Sequence, residues 1–170
     1  MKLSTRATIF ILAFVALSAV MAVASTTRLS PDQAAQLNQT IAGIQPTTLG
    51  IFFNNARVDL IEFVPIVGPA FGAYVSYSTG LAISAIAQST PVQGINGLEA
   101  FLALLITPIF WMEFFSYSLA VEESVALVLS ARSRQAFRGE LRWLLGSVLL
   151  AMAVLFVSAH LEASLVGMFS

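Results

Sequence analysis

The chain has 170 residues, of which 58 % are hydrophobic and only 10 % charged, with a formal net charge of -1. So small a charged fraction, against about a quarter in an ordinary soluble domain, leaves more apolar surface than one aqueous core can hide, and a near-neutral balance gives no nucleic-acid surface. The absence of cysteine excludes disulfides, thiolate metal sites and thiol nucleophiles.

Lys2 and Arg6 precede an apolar run from Ala7 to Ala24, long enough to span a bilayer. It reads as a first transmembrane helix, while Ala22-Val23-Ala24 before Ser25 also fits a signal-peptide cleavage site. Residue 25 lies outside the membrane in either case. Residues 25–49 turn polar. Within them SPDQAAQLNQTIAG predicts a short surface helix, with Ser30 or Asp32 as its cap and Pro31 in its first turn.

Residues 50–67 are apolar but carry Asn54, Asn55, Arg57, Asp59 and Glu62. At 100° per residue, Asn55, Asp59 and Glu62 fall within about 60° of one another, and Arg57 points elsewhere. Such groups cost about 3 kcal/mol each at mid-membrane, so the stripe must face protein or water. It is either an interfacial helix end whose charges reach water or a polar core.

Pro65 and Gly68-Pro69 interrupt the pattern, and a further span follows over residues 68–87. Gly68, Gly72, Ser76, Gly80 and Ser84 recur every fourth residue along it. That spacing lays small side chains on one ridge where a neighbouring backbone can come close, either inside the bundle or at a dimer face. Residues 88–97, with Pro91, Gly94 and Gly97, read as a turn outside the bilayer.

Residues 98–131 form one apolar run, about 50 Å as helix and longer than the bilayer core. One span over about 98–118 is expected, kinked near Pro108 and continuing past the membrane face. Glu113 shares a face with Ser116, Tyr117, Ala120 and Ser124, with Glu123 at its edge and Glu122 roughly opposite, which makes Glu113 the most buried charge expected. Arg132, Arg134, Arg138 and Arg142 against Glu140 make residues 132–142 a cytoplasmic basic loop. A last span covers about 143–160, with His160 and Glu162 at its far end.

If residues 25–49 are outside and 132–142 inside, an odd number of crossings separates them, and spans at about 50–67, 68–87 and 98–118 supply it. The expected fold is therefore all-α, a single multi-pass membrane domain over 1–170. Its transmembrane helical bundle has about five spans, with amino terminus inside and carboxyl terminus outside.

Two stretches resemble the stage II sporulation protein M family, five-span integral membrane proteins of bacteria and archaea. Phe52-Phe53-Asn54-Asn55-Ala56-Arg57-Val58 and the small-residue span through Ser84 are similar to the family's Asn-Asn segment and following helix. Pro108 to Glu113, PIFWME, has the Pro and Glu spacing of its Pro-His-Gly-x-x-Glu motif, with Ile109 and Phe110 in place of His and Gly. The resemblance covers roughly residues 50–131. It implies the family's fold and class and the positions Asn54, Asn55 and Glu113. The best-known members are membrane scaffolds that hold cell-wall hydrolases at the sporulation septum.

No HExxH or GxSxG motif is present, and the only histidine, His160, sits at a span end, so no catalytic, cofactor-binding or metal residues are expected. Intramembrane carboxylates Asp59, Glu62 and Glu113 would suit a small oligomeric transporter or channel. A scaffold of the cell membrane needs only a packing seam and a polar core of Asn54, Asn55, Arg57, Asp59, Glu62 and Glu113. Its expected partners are the lipid bilayer, further copies of the chain, or other membrane and envelope proteins.

Overall fold

Helices account for nearly all of the backbone, because a chain this poor in charge and turn residues satisfies its own peptide groups within each segment. The computed structural model describes residues 1–43, 47–89, 95–131 and 133–169. Its elements are α1 (Leu3–Ser25), α2 (Pro31–Ala42), α3 (Thr48–Glu62), α4 (Val67–Ser89), α5 (Gly97–Leu104), α6 (Pro108–Ser130) and α7 (Arg134–Phe169). No strand occurs among the described residues.

Local chemistry sets several boundaries. Ser30 caps α2 and, with Gln33, forms a capping box behind Pro31. Asn96 and Glu99 form a second capping box on α5. Thr107 caps α6, whose first residue is Pro108. Trp111 Nε1 donates to the Leu105 carbonyl at 2.8 Å and fastens the α5–α6 corner. Between α3 and α4 the chain turns through Ile66, which is held at φ 71°.

Three helices are long and apolar enough to cross a membrane, α1, α4 and the greater part of α7, and a fourth crossing is added if α5 and α6 count as one broken span. Their arrangement corrects three expectations. The kink at Pro108 is a full break, α5 and α6 meeting at 85°, because the proline disfavours helix at Thr107 and cannot donate to the preceding turn. The expected basic loop is helical from Arg134 onward, since nothing between Arg134 and Trp143 breaks a helix strongly; Arg132 lies outside the described residues. The segment expected to span as residues 50–67 ends its helix at Glu62, giving 15 residues or about 22 Å. Residues 90–94 of the expected turn at 88–97 also lie outside the described residues.

The helices alternate in direction. Space beside Gly72 is filled by Leu17 and Val121, and space beside Gly80 by Met21 and Ala24, so α1 and α4 run the same way. Ser124 lies beside Gly68, while Ile83 shares a cluster with Phe110 and Phe114, which sets α6 antiparallel to α4. Ser147 reaches Glu123 and Ser116 faces Ala151, so α7 returns antiparallel to α6. Asn55 meets Glu113 and Val64 meets Ser124, so α3 runs alongside α6 in the same direction. The main apolar core gathers Leu17 and Met21 of α1 with Ile83, Phe101, Phe110, Phe114 and Val121. Phe110 and Phe114 stack there at 4.3 Å between ring centres.

The ridge of Gly68, Gly72, Ser76, Gly80 and Ser84 is buried throughout. A Cβ on Gly80 would lie 2.4 Å from the Met21 carbonyl oxygen and 2.5 Å from Ala24 Cβ. On Gly68 it would lie 1.9 Å from the Glu62 carbonyl oxygen. Small residues here let α1 and the end of α3 approach the α4 backbone. Gly97 continues the contact line, since its added Cβ would lie 1.9 Å from the Ser25 carbonyl oxygen. Ser84 Oγ closes this end by donating to the Thr27 carbonyl at 2.6 Å.

Candidate functional site

Polar side chains gather in two places inside the bundle. The first grows from α3, where Asn55, Asp59 and Glu62 share a stripe by helical spacing. Asn55 Nδ2 donates to Glu113 Oε1 of α6 at 2.6 Å, and Asn54 Nδ2 donates to Asn55 Oδ1 at 3.2 Å from the exposed side. Two adjoining recesses of about 230 and 390 Å³ open here, both lined by Asn54, Asn55, Thr79 and Glu113. Glu162 of α7 lines the smaller recess.

Further along the stripe the carboxylates are fully enclosed. Asp59 is 0 % and Glu62 1 % exposed. Both carboxylate oxygens of Asp59 and Oε2 of Glu62 lack a hydrogen-bond partner among the described residues. Glu62 Oε1 lies where a Cβ on Gly72 would be 3.4 Å away, so the small ridge of α4 makes room for the acid. Tyr117 of α6 lies within electrostatic reach of Glu113, Glu62, Asp59 and Glu162 together. Unpaired carboxylates in such a place are costly as anions, and each can hold or pass a proton.

Arg57 is not part of this group. It is exposed and makes no ion pair among the described residues, because on α3 it sits about 160° around the helix from Asn55. Arg57, expected within the polar core, therefore points away from its acids.

The second gathering was not expected from the sequence. Arg6 of α1 is buried and shared by three acids from two helices. Its Nη1 donates to Glu140 Oε2 of α7 and its Nη2 to Glu123 Oε1 of α6, with Glu122 Oε2 at 3.3 Å. Ser147 Oγ of α7 donates to the same Glu123 oxygen at 2.5 Å. The Met1 amino group donates to Glu140 Oε1, and the Arg6 guanidinium lies 4.9 Å from the centre of the Trp143 ring. Glu122, Glu123 and Glu140 are each at most 2 % exposed. Glu113, expected as the most buried acid, lies deep in the bundle yet keeps some exposed surface where it opens onto the recesses.

The reason lies in the position of α6. It packs against α7, α1, α4 and α3, so it has neighbours on several sides and an acid opposite Glu113 is enclosed as fully as one beside it. Reading Arg6 as a membrane-flanking charge and Glu140 as a loop acid hid their pairing across more than 130 residues. The available signal was the surplus of acids on one apolar helix, which requires a cation from elsewhere. Among the described residues no group of three or more His, Cys, Asp or Glu side chains is arranged to hold a metal ion. No protein-family model, curated protein or solved structure matches the chain.

Proposed function

We propose that this chain is a non-enzymatic scaffold or assembly protein of the cell membrane. On this reading it crosses the bilayer five times, amino terminus inside, and resembles the stage II sporulation protein M family. The observation that carries the proposal is the pair of fixed polar ties across non-adjacent helices. Asn55 with Glu113 fixes α3 against α6, and Arg6 with Glu122, Glu123 and Glu140 fixes α1 against α6 and α7. Buried polar contacts of this kind select one register among packings of similar apolar area. A rigid register suits a protein that presents surfaces for other membrane or envelope proteins, or for copies of itself, to bind. The alternating helix directions support five crossings, because α3 runs with α6 and against α1, α4 and α7; on this reading α3, 15 residues long and not among the helices long enough to span by themselves, is a short crossing.

A reporter inserted near Gln36 is expected to read as external and one after Ser133 as cytoplasmic. Crosslinking in native membranes, followed by unbiased identification of co-purifying proteins, tests the scaffold role; a chain that recovers no stable partner and no second copy refutes it.

A second reading, a small oligomeric transporter or channel, is favoured by the unpartnered oxygens of Asp59 and Glu62 beyond the Glu113 recesses. Purified protein in liposomes under a proton or cation gradient separates the two. A flux lost in Glu113→Gln or Asp59→Asn supports transport, and no flux leaves the scaffold reading.

A further inference from the structure

A groove of about 700 Å³ runs between α1, α6 and α7, at the end of the bundle where Arg134, Arg138 and Arg142 emerge. Its walls are apolar, formed by Ala7 and Phe10 of α1, Leu119 of α6 and Leu150 of α7. It stays open because α7 turns glycines toward it. Gly139 and Gly146, two helical turns apart, both line it, and a Cβ built on either would meet no atom within 4 Å.

Two opposite charges face this groove without full neutralisation. Glu122 borders it from just beneath the surface, 2 % exposed, and its enclosed Oε1 has no hydrogen-bond partner among the described residues. Its Oε2 is 3.3 Å from an Arg6 guanidinium that is more closely engaged by Glu123 and Glu140. Arg142 also lines the groove, is exposed, and makes no ion pair among the described residues. Trp143, half-exposed at the same level, has the amphipathic ring that favours a headgroup region.

We propose that this groove binds a glycerophospholipid with a phosphoethanolamine headgroup, its ammonium on Glu122, its phosphate on Arg142 and an acyl chain along the apolar wall. Charge selects the class. A free anion meets the surplus carboxylates of Glu122, Glu123 and Glu140, and a free cation meets Arg6 and Arg142, whereas a zwitterion satisfies both. Hydrogen bonding selects within the class: the Glu122 Oε1 acceptor needs a donor, which a primary ammonium supplies and a quaternary choline does not. A phosphoglycerol headgroup carries no cation for Glu122. The proposal holds for a scaffold and for a transporter alike, and requires only that the bundle sits in a bilayer.

The test is native mass spectrometry of the purified chain with phosphoethanolamine, phosphocholine and phosphoglycerol lipids of identical acyl chains. Wild type is expected to retain the phosphoethanolamine lipid about tenfold better than the other two, the ratio one charge-assisted hydrogen bond supplies. Glu122→Gln should erase the preference over phosphocholine, and Arg142→Gln should weaken retention of all three. Gly146→Leu should block all three by filling the groove while leaving thermal stability at the wild-type level, since its first side-chain atom meets open space. Equal retention of the three lipids by wild type, or an unchanged preference in a folded Glu122→Gln, overturns the proposal. So does a wild-type dimer, dissociated by Gly146→Leu, that holds no lipid, because the groove would then seat a second copy. A chain recovered in the soluble fraction instead defeats the membrane reading itself.

Discussion

Three glycines that look alike in the sequence are expected to respond to alanine in a graded way. At Gly80 the added Cβ meets the Met21 carbonyl oxygen at 2.4 Å and Ala24 Cβ at 2.5 Å. Neither is the end of a flexible side chain, so α1 and α4 must separate by about 1 Å to restore ordinary contact. Overpacking of that kind costs roughly 1–3 kcal/mol. At Gly72 the neighbours are the side-chain atoms Val121 Cγ2 at 3.2 Å, Glu62 Oε1 at 3.4 Å and Leu17 Cδ2 at 3.4 Å, which can yield by rotation, so the loss should stay under about 1 kcal/mol. At Gly146 nothing lies within 4 Å, and the gain in helix propensity, up to about 1 kcal/mol, is unopposed. Thermal unfolding in one detergent reads all three, at roughly 2–4 °C per kcal/mol for a chain of this size. The expected order of midpoints is Gly146→Ala at or above wild type, Gly72→Ala slightly below, and Gly80→Ala lowest. A Gly80→Ala midpoint equal to wild type would refute the close approach of α1 to α4, and with it the role given to the ridge.

Arg6→Leu leaves Glu122, Glu123 and Glu140 buried without their guanidinium and should lower stability by roughly 3–5 kcal/mol, with partial recovery on adding Glu123→Gln; denaturant titration of the single and double variants checks this. Arg57→Ala should change stability by no more than about 0.5 kcal/mol by the same assay, because that side chain is exposed and unpaired among the described residues. Ile66→Gly should raise the unfolding midpoint by the equivalent of about 1 kcal/mol, since a β-branched residue is held at φ 71° in the α3–α4 turn where glycine is unstrained. Asn55→Leu should leave the rest of α3 folded but increase proteolysis or hydrogen exchange at its amino-terminal half, where the bond to Glu113 fastens it to α6.

Much of the fold was legible in residue order because the relevant physics is local. The apolar run after Arg6 demands a helix, Ser30-Pro31 marks a helix start, and the four-residue spacing from Gly68 to Ser84 puts the small side chains on one side of α4. The angular spacing of Asn55, Asp59 and Glu62 likewise fixes a shared stripe and sends Arg57 elsewhere. Helix extents were less legible. Residue order permits α7 to start at Arg134 and the chain to bend at Pro108, but it does not state that the basic segment joins the helix or that the bend reaches 85°.

What the sequence alone determined, then, is which faces are small, apolar or polar, since a helix's faces follow from its own periodicity. Which faces meet was decided only by tertiary packing. Arg6 and Glu140 lie at opposite ends of the chain, and the antiparallel return of α7 along α6 brings them to one buried cluster. Glu122 is enclosed because α6 has neighbours on several sides, and Gly139 and Gly146 of α7 face an open groove whereas Gly68 and Gly80 of α4 touch backbone. The ridge and the groove use the same residue type, and only the position of each helix in the bundle tells a filled seam from an empty one.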